Sequence, residues 1–121
     1  MLLDLEPESV FSAFLDICKI PRESGHEKLI CDYLQNFASE RDLNYAIDAA
    51  GNVVIRKPAT SCMEQRPVVV LQSHVDMVCE KNEGVVHDFA KDPIDVYQED
   101  GWLKAKGTTL GADCGIGMAA Q

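Results

Sequence analysis

Pro67-Val68-Val69-Val70-Leu71 is a continuous, mostly β-branched run, and it constrains the fold more than any other stretch of the chain. A strand with one wet face alternates apolar and polar residues, whereas an unbroken run suits a central strand covered on both faces. Helices must then supply the covering layers, so the expected class is α/β, a mixed sheet with flanking helices. With 121 residues there is room for one core and no second domain.

The rest of the chain supplies those layers. Pro7 fits the first turn of a helix, and Val10, Phe11, Phe14, Leu15 and Cys18 follow at helical spacing up to Pro21. Ser24-Gly25-His26-Glu27 reads as a capping box, with serine at the N-cap and glutamate three residues on. Behind it Leu29, Ile30, Tyr33, Leu34 and Phe37 form a second amphipathic stripe. The period then changes. Residues 43–48 and 53–57 read as strands joined across Ala49-Ala50-Gly51-Asn52, and residues 94–98 and 102–106 as a second hairpin around Asp100-Gly101. Residues 79–93 lack periodicity and predict a long loop. Residues 111–117 form a glycine-rich turn that leads into a helix from Ile116.

Composition excludes several classes of function. Hydrophobic residues make up 46% and charged residues 26%, the balance of a globular protein. The net charge is −9 and the basic residues are scattered, so no stripe exists to displace counterions from nucleic-acid phosphates. No apolar run approaches the roughly 20 residues that cross a bilayer. The opening Met1-Leu2-Leu3-Asp4-Leu5-Glu6 lacks the basic and apolar regions of an export signal, so a cytoplasmic protein is expected. The five cysteines are odd in number and irregular in spacing, which argues for reduced thiols rather than a disulfide framework.

Two local features could carry chemistry. Ser73-His74-Val75-Asp76 ends the apolar run, and in an extended chain residues i and i+2 share a face, which puts His74 and Asp76 together. One ring nitrogen could then bind a metal while the carboxylate holds the other. A hydrogen-bonded histidine beside a solvated aspartate explains the same tripeptide. Gly111-Ala112-Asp113-Cys114-Gly115-Ile116-Gly117 places one acid between glycines before a helix. A phosphate cradle is disfavoured, because no lysine fills the position such a loop requires and the carboxylate would repel the anion. A cation site and a plain structural turn both fit. Cys114 with His74 and Asp76 also has the residue types of a cysteine hydrolase: nucleophile, base and orienting acid.

Taken together, these motifs resemble the M20 metallopeptidases, in particular their aminoacyl-histidine dipeptidase branch. The resemblance runs through residues 20–27, 48–58, 74–78 with Lys81-Asn82, Val86-His87-Asp88-Phe89, 91–94 and 107–113. It implies the N-terminal part of a three-layer αβα zinc-peptidase-like catalytic domain spanning residues 1–121, without the lid or dimerisation domain. It implies that His74 binds one metal and Asp113 bridges two, with the catalytic aspartate Asp76 orienting the imidazole. The metals implied are two zinc ions, with manganese or cobalt as substitutes. The peptide bond after the bridging aspartate is expected to be cis.

Two departures from the branch stand out. Cys114 occupies the position after the bridging aspartate where asparagine is usual, and the family's base and later ligands have no counterpart. The chain has no glutamate after Glu99 and no histidine after His87. The expectation is therefore a dipeptidase acting on short peptides, Xaa-His among them, of which this segment alone is inactive and self-associates as a homo-oligomer. The alternatives are a non-catalytic self-associating segment and a cysteine hydrolase using Cys114.

Overall fold

The computed structural model describes residues 5–121; Met1 to Asp4, part of the opening read above as lacking an export signal, lie outside the described residues. The chain divides into two compact units, residues 1–30 with 72–121 and residues 31–71.

In the first unit, α1 (Glu8–Cys18) buries Phe14, Ile17 and Cys18 and packs on α3 (Ala112–Ala120). Pro7 stands at the N-cap of α1, one position before the first turn. Burial pushes the Cys18 thiol up to about 11, against the pull of the Arg22 cation. The Phe14 ring lies over Gly115, where a Cβ would come within 3.1 Å of a ring carbon. That close approach lets α1 carry Arg22, four residues beyond its end, to the start of α3. Strands β3 (Val96–Glu99) and β4 (Trp102–Ala105) pair antiparallel with Glu99 opposite Trp102. Asp100 and Gly101 between them both take positive φ, the backbone that a two-residue hairpin needs. Residues 79–93 form the expected loop, and none of them belongs to a helix or a multi-residue strand.

The second unit holds most of α2 (Lys28–Ser39) and the hairpin of β1 (Asn44–Ile47) and β2 (Val53–Arg56). Its connection is organised by Asp48, whose carboxylate accepts the backbone N–H groups of Ala50 and Asn52, each at 2.9 Å, and the Asn52 side chain at 2.7 Å. These bonds, the Asn52 side chain first, hold the Asp48 carboxyl below its ordinary range.

Helices and antiparallel hairpins together bear out the α/β class. Two expectations need correction. The run Val68–Leu71 forms no strand, and its residues are between 64% and 90% exposed. A central strand requires neighbours on both edges, and among the described residues the strands pair only as β1–β2 and β3–β4. The capping box also fails. Helix α2 begins at Lys28, and Glu27 turns back to accept the N–H of Gly25 while Ser24 bonds elsewhere. No helix among the described residues is long and apolar enough to cross a membrane.

Candidate metal site

A short parallel bridge brings the segment after α1 alongside the segment carrying His74. Met77 N–H donates to the Arg22 carbonyl at 2.9 Å, and Ser24 N–H donates to the Met77 carbonyl at 3.3 Å. The Ser24 hydroxyl, read from sequence as a helix cap, instead donates to Asp76 Oδ2 at 2.5 Å. The other Asp76 oxygen lies 3.0 Å from His74 Nδ1, so the i, i+2 pair does meet. Across 39 residues of sequence, His74 Nε2 lies 3.1 Å from Asp113 Oδ1. His74, Asp76 and Asp113 thus converge.

Electrostatics follow from this chain of contacts. The Ser24 hydroxyl, and after it the His74 ring, hold the Asp76 carboxyl below its ordinary range. Asp113, and then Asp76, raise the His74 pKa above 6.5, because each ring nitrogen faces a carboxylate that favours the doubly protonated ring. In the metal-free chain these contacts stabilise the fold below the ordinary imidazole value, and the contribution is lost as pH rises through the elevated His74 pKa. An NMR titration of the His74 ring protons should place its midpoint above 6.5, and a midpoint at or below that value would contradict the geometry. Metal binding needs Nε2 unprotonated, so affinity should rise with pH across the same range.

Arg22 is the residue that sequence reasoning missed. It is only 1% exposed, and its Nη1 donates to the carbonyls of Val75 and Asp76 at 3.2 and 3.0 Å. Its Nη2 donates to the Gly111 carbonyl at 2.6 Å. One guanidinium therefore ties the backbone of the His74 segment to the backbone that leads into Asp113. Gly111 makes room for it: φ is +71°, and a Cβ there would come within 2.5 Å of Nη2. Thr109 adds a second tie, donating its hydroxyl to the Val78 carbonyl at 2.8 Å and its N–H to the Glu80 carbonyl at 2.9 Å. The sequence signals for Arg22 were its place in the motif of residues 20–27 and a cation directly after Pro21, neither of which gave it a role.

Helix α3 opens irregularly. Asp113 and Cys114 have non-helical backbone angles, and the peptide bond between them is cis, as the resemblance implied. Ligand atoms of His74, Asp113 and Cys114 all lie within 4.8 Å of one another. The two remaining histidines stand apart from this group. His26 Nδ1 lies 3.8 Å from Glu23, and the His87 ring packs edge-on against Phe89 at 4.5 Å.

No protein-family model matches the chain. It is 50% identical over 119 residues to the cytosol non-specific dipeptidase of Escherichia coli (strain K12), covering 98% of this chain and 24% of that protein. It is 31% identical over 98 residues to a probable succinyl-diaminopimelate desuccinylase of Staphylococcus epidermidis, covering 78% of this chain and 22% of that protein. Among solved structures it matches the aminoacylhistidine dipeptidase of Vibrio alginolyticus at a TM-score of 0.93 and 49% identity, over 96% of this chain and 24% of that one. The chain spans about a quarter of the length of these relatives. The resemblance read from its motifs is borne out.

Proposed function

We infer that the chain, related along nearly its whole length to dipeptidases, is part of a metal-dependent dipeptidase of the M20 metallopeptidase family. Its substrates are short peptides, Xaa-His dipeptides among them, and its place is the cytoplasm. The observation that carries this reading is the convergence of His74, Asp76 and Asp113 on one exposed spot. His74 would hold a zinc ion through Nε2, and Asp113 would be shared by two.

The residues suit such a pair of cations. Asp76 occupies Nδ1 and leaves Nε2 facing Asp113, whose side chain is 97% exposed and open to both cations and substrate. A shared carboxylate offsets the repulsion between two ions about 3.5–4 Å apart. When bound, zinc, or manganese or cobalt in its place, would polarise the peptide carbonyl and lower the pKa of water.

The chain's own part is positioning. Asp76 fixes the His74 ring, Ser24 fixes Asp76, and Arg22 holds the two ligand-bearing segments in register. Zinc sites take three or four protein ligands, so His74 and Asp113 by themselves do not complete one. The segment in isolation is therefore inactive. In the complete protein, dipeptide hydrolysis should stop on exhaustive chelation and return with zinc. Undiminished turnover by metal-free protein would rule the mechanism out.

The exposed run Val68–Leu71 favours a second reading, a segment that self-associates without catalysis. The chain is expected to sediment as a dimer or larger under either reading. A dipeptidase assay on the complete protein separates the two.

A further inference from the structure

Cys114 lies outside the machinery described above, yet its sulfur is within reach of both proposed metal ligands. Adjacent side chains on an α-helix diverge by about 100° around the axis. At Asp113 (φ −92°, ψ 109°) and Cys114 (φ −104°, ψ 34°) the helical geometry is broken, and both side chains reach toward His74. The sulfur sits over Gly117, at the point where a Cβ on that residue would meet it, and Ser73 Cβ lies 3.9 Å from the same point. A bulkier residue at 117 would displace it.

We propose that Cys114 is a metal ligand, so that His74, Asp113 and Cys114 offer nitrogen, oxygen and sulfur to one borderline-to-soft divalent cation. Donors about 2.0–2.3 Å from a tetrahedral zinc ion lie about 3.4–3.6 Å apart. The His74–Asp113 separation of 3.1 Å has to open by about 0.3 Å, and no pair in the group exceeds 4.8 Å. Closing the widest gap takes about 1.2 Å, within the reach of side-chain rotation. Coordination displaces the thiol proton to solvent. A thiolate selects zinc, cobalt or cadmium over manganese and magnesium, which take oxygen ligands. The inference rests on the metal reading of His74 and Asp113, and it adds a donor that the resemblance does not supply.

Cobalt(II) tests it, because a cobalt–thiolate bond gives an intense near-ultraviolet charge-transfer absorption and a nitrogen–oxygen site does not. The complete protein titrated with cobalt should develop this absorption. Cys114→Ser should lose it, while Cys62→Ser and Cys79→Ser keep it. Equilibrium dialysis should show the preference for cadmium over manganese falling at least tenfold in Cys114→Ser. Cobalt that binds, and is lost in His74→Ala, without thiolate absorption would overturn the Cys114 assignment and leave the His74–Asp113 site standing. Absorption that survives Cys114→Ser would assign the sulfur to another cysteine and overturn the proposal. Absence of binding, or binding indifferent to His74→Ala, would overturn the proposal and the metal reading together.

Discussion

Arg22→Met is expected to destabilise the chain by about 2–4 kcal/mol, a large share of the roughly 5–15 kcal/mol that holds a typical domain together. The guanidinium serves three carbonyls, those of Val75, Asp76 and Gly111, in a setting closed to water. Methionine fills much of the same volume and removes a buried charge, which returns the desolvation cost of the cation and of its unpartnered Nε. Against that gain, three hydrogen bonds from a charged donor are lost, each worth about 1.5–3 kcal/mol, and although the Gly111 carbonyl keeps the Gly115 N–H, the loss outweighs the gain. Arg22→Lys should recover only part of the stability, because a compact ammonium cannot span both backbone segments as a planar fork does. Urea unfolding of the three proteins measures the difference. A midpoint for Arg22→Met equal to that of the parent would show that these hydrogen bonds contribute nothing net.

In the complete protein, Asp113→Ala should reduce metal content far more than Asp76→Ala. A shared carboxylate touches both cations, so its loss removes a ligand from each and the charge that offsets their repulsion. Asp76 acts through the His74 ring, and losing a partner of that kind typically changes affinity or activity by roughly 10–100-fold. Metal stoichiometry after dialysis against micromolar zinc distinguishes the two variants. Two ions retained by Asp113→Ala would remove Asp113 from the ligand set.

How much of this was legible in the sequence depends on where each residue finds its partner. Phe14 and Cys18 lie one turn apart on α1, and their spacing announces a buried helix face before any contact is known. Asp100-Gly101 between two short apolar stretches announces β3 and β4 for the same reason, since the backbone a tight turn needs is local. Val68–Leu71 was misread in one respect. The residues have strand character, but strand formation needs neighbours, and among the described residues the strands pair only as β1–β2 and β3–β4. Ser24 shows the converse. A serine three residues before a glutamate has the pattern of a cap, yet Asp76, 52 residues away, takes the hydroxyl.

The site was less legible still. His74 and Asp113 are 39 residues apart, and neither tripeptide nor glycine turn pairs them by local rules. It was the order of several motifs, matched as a set to a family, that pointed to the pair. Arg22 gave almost no signal, because an arginine beside a proline reads as a surface residue until its three carbonyls are in place.

Anomalous scattering at the zinc edge, from crystals of the complete protein grown with zinc, tests the metal assignment most directly. Two peaks are expected, both within about 2.0–2.2 Å of Asp113 carboxylate oxygens and one within about 2.0–2.1 Å of His74 Nε2. Peaks bound elsewhere, with His74 and Asp113 still paired to each other, would contradict it.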